Sequence, residues 1–425
     1  MLWFKLKAGA LQLTLFIAVV IALLLTAFIL LVHTHKRFNI QTNLIIETTR
    51  NADKGIHYVL TNDIQINDST TIDLQGEVYE SLRLNHQFWG VYGRLTSVSK
   101  IKNNQIVKSA LIGELTPDKD RIALYLQDNK RPLVVVGNTR IEGVSYLPKQ
   151  GVKSGNISGQ SYYGSQFIYG NIRTANKQPN IFTDIIKKIN STKENILAFS
   201  ENQFLNIKSG KDYKNSFFKP SQIVFSNAQI DLFNVTMIGN IIIQSKTKIS
   251  VDASTVLKDV ILIAPEIEIR NNFKGNLQAF ASDRLVVGER VQLNYPSALI
   301  LTEKVTSQRT VNSQISDVKQ MTIGSSSEIK GSLLYYGRPK LNNNDVQLEL
   351  KENSVITGEV FCNQNLELKG TVFGSVYTNN FIAKQFGSIY QNHIYNGKII
   401  INDLPKEYLG LSLNNSKKGV IKWLY

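Results

Sequence analysis

The 425-residue chain holds one cysteine, Cys362, and five histidines. A single thiol excludes an intrachain disulfide and leaves the redox compartment unstated. His33 and His35 follow a hydrophobic run, and His57, His86 and His393 are scattered without ligand spacing, which argues against a metal site. Lys and Arg number 48 against 33 Asp and Glu, a net charge of +15. The basic residues are dispersed. Lys187-Lys188 and Lys417-Lys418 are only doublets, so the clustered, aromatic-interleaved stripe of a nucleic-acid binder is missing. A generally basic surface remains, which attracts anionic lipid headgroups or polysaccharide. The acids Glu266, Glu268, Asp283 and Glu289 occur singly or in loose pairs, short of the clustered carboxylates of a carbohydrate-active enzyme. Cys362 and His393 would make a nucleophile and base only if the thiol were reachable, and alternation places Cys362 inward among aliphatics. The glycines of Gly137–Gly143 are not followed by Lys-Ser/Thr, which excludes a phosphate loop. These patterns imply no catalytic residue, no cofactor and no metal ligand.

What is present begins with Ala10–Val32, 23 residues without a charge. At about 1.5 Å per residue the run reaches roughly 34 Å as a helix, enough to cross a bilayer core of about 30 Å. It follows a basic leader, residues 1–9, with Lys5 and Lys7. The run is too long for a signal h-region and ends without an Ala-x-Ala pattern, so a retained transmembrane helix is expected over 10–32, in contact with membrane lipid. Lys36 and Arg37 nearly balance the leader, so the charge bias is weak. The short leader favours a single-pass inner-membrane protein, its N-terminus cytoplasmic and its bulk periplasmic or extracellular. Residues 33–62 read as a helical stalk: Leu44, Ile45, Thr48 and Ala52 fall at spacings of three and four, and no proline interrupts.

The leader ending in Gly9, then Ala10-Leu11-Gln12-Leu13 and a long apolar helix, resembles the N-terminus of type IV pilin-like proteins. That resemblance implies cleavage by a prepilin peptidase between Gly9 and Ala10. Thr14 stands where most pilins carry Glu, so the likeness is to atypical minor pseudopilins. An ordinary signal anchor with a glycine before its span accounts for the same residues.

Beyond the stalk the chain looks β. Residues 63–136 read as a small antiparallel region. Ser97–Ile101 and Gln105–Ser109 flank Lys102-Asn103-Asn104 as a hairpin, and Ile122–Leu126 and Leu133–Val136 flank Asp128-Asn129. From Gly137 a short signature recurs, Gly, a small or polar residue, then an aliphatic, as in Gly239-Asn-Ile241, Gly331-Ser-Leu333, Gly358-Glu-Val360, Gly374-Ser-Val376 and Gly387-Ser-Ile389. Residues 357–365, 373–381 and 386–394 align as three copies, offset by 16 and 13. So short a period suits stacked rungs of a parallel β-helix over 137–405. Val360, Cys362, Leu366, Leu368, Val372 and Val376 then share an inner face. Glu359, Glu367, Lys369, Thr371 and Ser375 share the outer one, where Phe361 and Tyr377 would stack at the surface. A short helix is expected as an insert near 182–199, a loop at Leu341–Asp345, and a tail over 406–425. Tyr162, Tyr163, Phe167 and Tyr169, among small polar residues, form either a recognition surface for carbohydrate or protein or an aromatic ladder that stabilises the rungs.

The runs Val355–Val360 and Leu366–Val376 resemble bactofilins, polymer-forming bacterial cytoskeletal proteins, and this resemblance implies a right-handed parallel β-helix. The whole reads as a mainly β protein. It would be a membrane-anchored structural, adhesion or scaffold protein of the cell envelope, with envelope proteins, polysaccharide or further copies of itself as partners. A pilin-like subunit of a pilus or secretion-system pseudopilus is the alternative, and a carbohydrate-active β-helix enzyme the third reading.

Overall fold

A computed structural model describes residues 8–62, 69–72, 80–175, 199–303, 320–338, 343–411 and 417–425. The chain divides into two compact units. Met1–Val59, Ser69–Asn85 and Thr96–Lys108 make the first; Leu60–Asp68, His86–Leu95 and Ser109–Tyr425 make the second.

The first unit is built on one helix, α1, Ala8–Thr61. Its 54 residues correspond to about 80 Å of helix. Its N-terminal half is apolar all round and bare: Leu11, Phe16, Leu24 and Phe28 are exposed. The threonines there turn inward on the backbone, Thr26 Oγ1 donating to the Ala22 carbonyl at 2.8 Å and Thr34 Oγ1 to Leu30 at 2.7 Å. The hydroxyls are thus satisfied without water. Toward its C-terminal end α1 becomes amphipathic. Thr48, Asn51, Ala52, Ile56 and Val59 are buried, the three-and-four spacing of a packed face. Against it lie parts of β2 (Glu80–Trp89) and β3 (Tyr92–Ile101), while β1 (Ser69–Ile72) pairs antiparallel with Leu82–Asn85. Gly55 is the point of closest approach. A Cβ there would sit 2.4 Å from Ser97 Oγ and 2.7 Å from Leu84 Cδ2. β4 (Asn104–Leu115) follows β3 through a turn with Lys102 at φ 53°, the hairpin the Lys102-Asn103-Asn104 spacing predicts. Asp53 on α1 pairs with Lys108 on β4 at 2.5 Å.

The second unit is dominated by parallel strands whose partners lie one sequence repeat away. Ile249 pairs with Ile267, Ile267 with Leu285, Leu285 with Met321, Met321 with Leu348, Leu348 with Leu366 and Leu366 with Phe381. Every member of that column is buried, so like aliphatics stack on like. A second column runs Leu262, Ala279, Leu299, Leu333, Val360, Val376. It continues into Leu124 and Ser145, which lie far earlier in the chain. Ile122–Leu126 and Leu133–Val136 therefore pair in parallel with late strands, Leu133–Val136 lying beside His393–Tyr395. The antiparallel arrangement expected for them does not form, because their near-continuous apolar runs suit a sheet covered on both faces.

The signature glycines fall into register where backbones crowd. Gly331 faces Gly358, and Gly358 faces Gly374. A Cβ on Gly374 would lie 1.8 Å from the Gly358 carbonyl oxygen, and one on Gly358 1.9 Å from that of Gly331. The third aligned copy departs. Gly387-Ser-Ile389 forms no parallel rung but a hairpin, Lys384 pairing antiparallel with Ile389. Phe386 and Gly387, at φ 49° and 78°, supply two consecutive left-handed residues, the conformation that folds a two-residue loop back on itself. Of the stretch near 182–199, where the helical insert was expected, only Phe199 is among the described residues. Of the expected loop at Leu341–Asp345, Asn343–Asp345 are described and are irregular.

The outer face of these strands is a second core. Phe280, Ile300, Leu334, Phe361, Tyr377 and Tyr125 are buried there with Trp89, Val91, Tyr92, Leu111, Leu411 and Leu424. Phe361 and Tyr377 do stack, 4.9 Å between centroids and 18° between planes, but both are covered. Their expected surface position fails because the β2–β3 turn, the end of β4 and the C-terminal strand Lys417–Leu424, antiparallel to Leu115–Ser109, lie over them. Gln278 fixes the β2–β3 turn, its Oε1 accepting the Val91 N–H at 2.9 Å and its Nε2 donating to the Trp89 carbonyl at 3.0 Å.

Candidate functional site

The aromatic residues predicted from sequence lie near one another beside the parallel strands, Tyr162 bridging Gly137 and Tyr169 bridging Glu142. Tyr162 packs on the inner core with buried Ile168, and its hydroxyl donates to the Gln166 carbonyl. Phe167 lies against Tyr162 with centroids 5.7 Å apart. The Arg140 guanidinium covers Tyr169 at 4.8 Å, and the Tyr169 hydroxyl lies 3.2 Å from Ser165 Oγ, the contact that draws its phenol below the ordinary value. Arg140 is itself paired with Glu142. Tyr163 is the one of the four with most of its surface free, 62 % exposed. Three of the four rings thus already contact a neighbouring side chain.

Gly9 and Ala10 lie in the first turns of α1 and are exposed, with nothing within 4 Å of a Cβ placed on Gly9. Cys362 is fully buried, and burial pushes its thiol up to about 12. A thiol so far from ionising is a poor nucleophile. Glu266 and Glu268 lie on an outer wall, Glu268 paired with Lys248 at 2.5 Å and Arg284 beside them. Among the described residues no three His, Cys, Asp or Glu side chains group to hold a metal ion.

The most unusual electrostatic site is one that alternation alone misplaces. Glu359 does point to the outer face, flanked in register by Ser332 and Ser375, yet it is 7 % exposed. The segment Leu404–Leu411 crosses it so closely that a Cβ on Gly410 would lie 2.2 Å from Glu359 Oε1. The Leu411 N–H donates to Glu359 Oε2 at 3.0 Å. Ser332 Oγ and the Tyr408 hydroxyl are 3.4 Å apart, and Tyr408 also donates to the Gly331 carbonyl at 3.2 Å. Tyr295 donates to the Leu409 carbonyl at 2.9 Å. Burial pushes the Glu359 carboxyl up to about 7; Glu114 adds to the rise, and the Leu411 N–H, Ser332 and Arg121 oppose it. Burial likewise raises the phenols of Tyr92, Tyr295 and Tyr408. Glu367 is buried as well, its Oε1 3.0 Å from Lys369 Nζ and accepting the Lys384 N–H at 3.0 Å. The available sequence signal was a glutamate aligned with serines, small residues that leave room for a covering segment.

No protein-family model, no curated protein and no solved structure matches this chain.

Proposed function

We propose that the chain is a membrane-anchored, non-catalytic scaffold of the cell envelope that displays a right-handed parallel β-solenoid. The observation that carries this reading is the N-terminal half of α1. Its apolar side chains are exposed on every face, while the described residues beyond it bury apolar cores of their own. Water tolerates so large a bare apolar surface poorly, and a bilayer accommodates it. The repeat-spaced parallel pairings, with like residues stacked in columns, support the solenoid reading. Membrane fractionation with an alkaline wash tests it. The full chain is expected to stay with the pellet, and a Leu23→Arg/Leu24→Arg variant to be lost from it. Recovery of the unaltered chain in the soluble fraction overturns the reading.

A second reading, a pilin-like subunit processed after Gly9, is favoured by a separate observation. α1 continues unbroken from the exposed Gly9–Ala10 pair into a packed C-terminal portion seated on antiparallel strands at Gly55. N-terminal sequencing of the protein from its native membrane decides it: a chain beginning at Ala10 supports processing, and an intact Met1 rejects it.

A further inference from the structure

We propose that Leu404–Leu411 is a strap that closes over Glu359 while that carboxyl is protonated and loosens when it ionises, because the strap shuts the charge away from water. The strap is fastened along its length. Arg121 donates to the Leu404 carbonyl at 3.3 Å and to the Lys406 carbonyl at 2.9 Å. Gly410 exchanges both backbone hydrogen bonds with Glu114, at 3.2 and 3.0 Å. Leu409 and Leu411 are bonded to Tyr295 and Glu359, as described above. Beyond the strap the chain becomes the C-terminal strand Lys417–Leu424, whose Leu424 shares the second core with Leu411. Loosening the strap therefore loosens the cover of that core.

The charges around Glu359 set the sign. β4 contributes Glu114 and the turn after it Arg121, whose guanidinium is also paired with Asp118 at 3.1 Å. β3 contributes Tyr92, the strand Gln292–Thr302 Tyr295, the strand Thr371–Gln385 (beside that of Glu359) Tyr377, and the strap Tyr408; these phenols stay neutral near pH 7. One guanidinium thus faces three carboxylates. A proton on Glu359 removes one buried negative charge, whereas an ionised Glu359 must repel Glu114 or reach water by lifting the strap. Because the folded-state carboxyl holds its proton more tightly than the free side chain, its contribution is complete in acid. It fades as pH rises from the ordinary glutamate value through the folded one.

Hydrogen–deuterium exchange of the full chain in detergent micelles, corrected for intrinsic exchange rates, tests the strap directly. The opening equilibrium of peptides covering 404–411 is expected to rise on the order of a hundredfold between about pH 5 and about pH 8, then to level off. Peptides of the inner column, such as Ile249–Val251, stay unchanged. Glu359→Gln is expected to hold the low-pH value throughout. A wild-type strap whose opening does not change with pH overturns the proposal, and that series needs no variant. So does a Glu359→Gln protein that keeps the wild-type pH dependence, since another group would then carry the titration.

Discussion

Replacing Phe361 by alanine tests whether the outer face of the parallel strands is a true core. Its side chain is fully buried, lies in register between Leu334 and Tyr377, and stacks on Tyr377 at 4.9 Å. Truncating a buried phenylalanine costs about 3–5 kcal/mol, the spread reflecting how far the site collapses. The stacked geometry accounts for about 1 kcal/mol of this beyond area burial. Phe361→Leu keeps most of the volume and loses the stack, so a loss of about 1–2 kcal/mol is expected. Phe386→Ala is the control: that ring is 84 % exposed at a hairpin tip, and its loss is expected within about 0.5 kcal/mol. Chemical denaturation of the full chain in micelles, followed by far-ultraviolet circular dichroism, reads all three. A Phe361→Ala protein no less stable than Phe386→Ala would refute the covered outer face. It would restore the surface ladder that alternation alone suggests.

Three further outcomes follow from the geometry. Gly374→Ala puts a Cβ 1.8 Å from the Gly358 carbonyl oxygen at φ 149° and is expected to cost more than about 3 kcal/mol or to block folding. Gly387→Ala, at φ 78° with nothing within 4 Å, is expected to cost only about 1 kcal/mol, and equal losses in thermal unfolding would dismiss the close-approach argument. Lys422→Met strands the Asp259 carboxylate, whose two oxygens both lie 2.6 Å from Lys422 Nζ and whose side chain is 8 % exposed. A loss of about 2–4 kcal/mol is expected, largely recovered in Lys422→Met/Asp259→Asn, and a double variant as unstable as the single would rule out a stranded charge. Asn363→Ala removes the paired bonds at 2.8 and 2.7 Å that close the Gly337 backbone, an expected loss of about 1–3 kcal/mol in the same unfolding assay.

The apolar run, the Lys102 hairpin and the Gly358–Gly374 register were legible because each rests on local pattern: length, turn residues, or spacing repeated in nearby copies. The inward face of Val360, Cys362 and Val376 was legible for the same reason. What covers the outer face was not. Alternation separates two faces of a strand but is silent about distant segments, so Phe361, Tyr377 and Glu359 were placed in water that the β2–β3 turn, β4 and Leu404–Leu411 exclude, and Glu367 in water although it is buried beside Lys369 and Lys384. Placing Leu124 beside Val376, across some 250 residues, likewise has no local signal. Phe386-Gly387 misled because a glycine signature serves both a crowded rung and a tight hairpin, and only the paired positive φ angles separate them. The Tyr162–Tyr169 rings lie near one another, and their contacts with Ile168 and Arg140 carry no signal in an aromatic count.

Protease shaving of intact spheroplasts tests the anchored scaffold most directly. With an antibody against the C-terminal segment as readout, digestion of the β region from outside, alongside a protected cytoplasmic control, is the predicted result. A C-terminal region that survives until the membrane is permeabilised would contradict outward display.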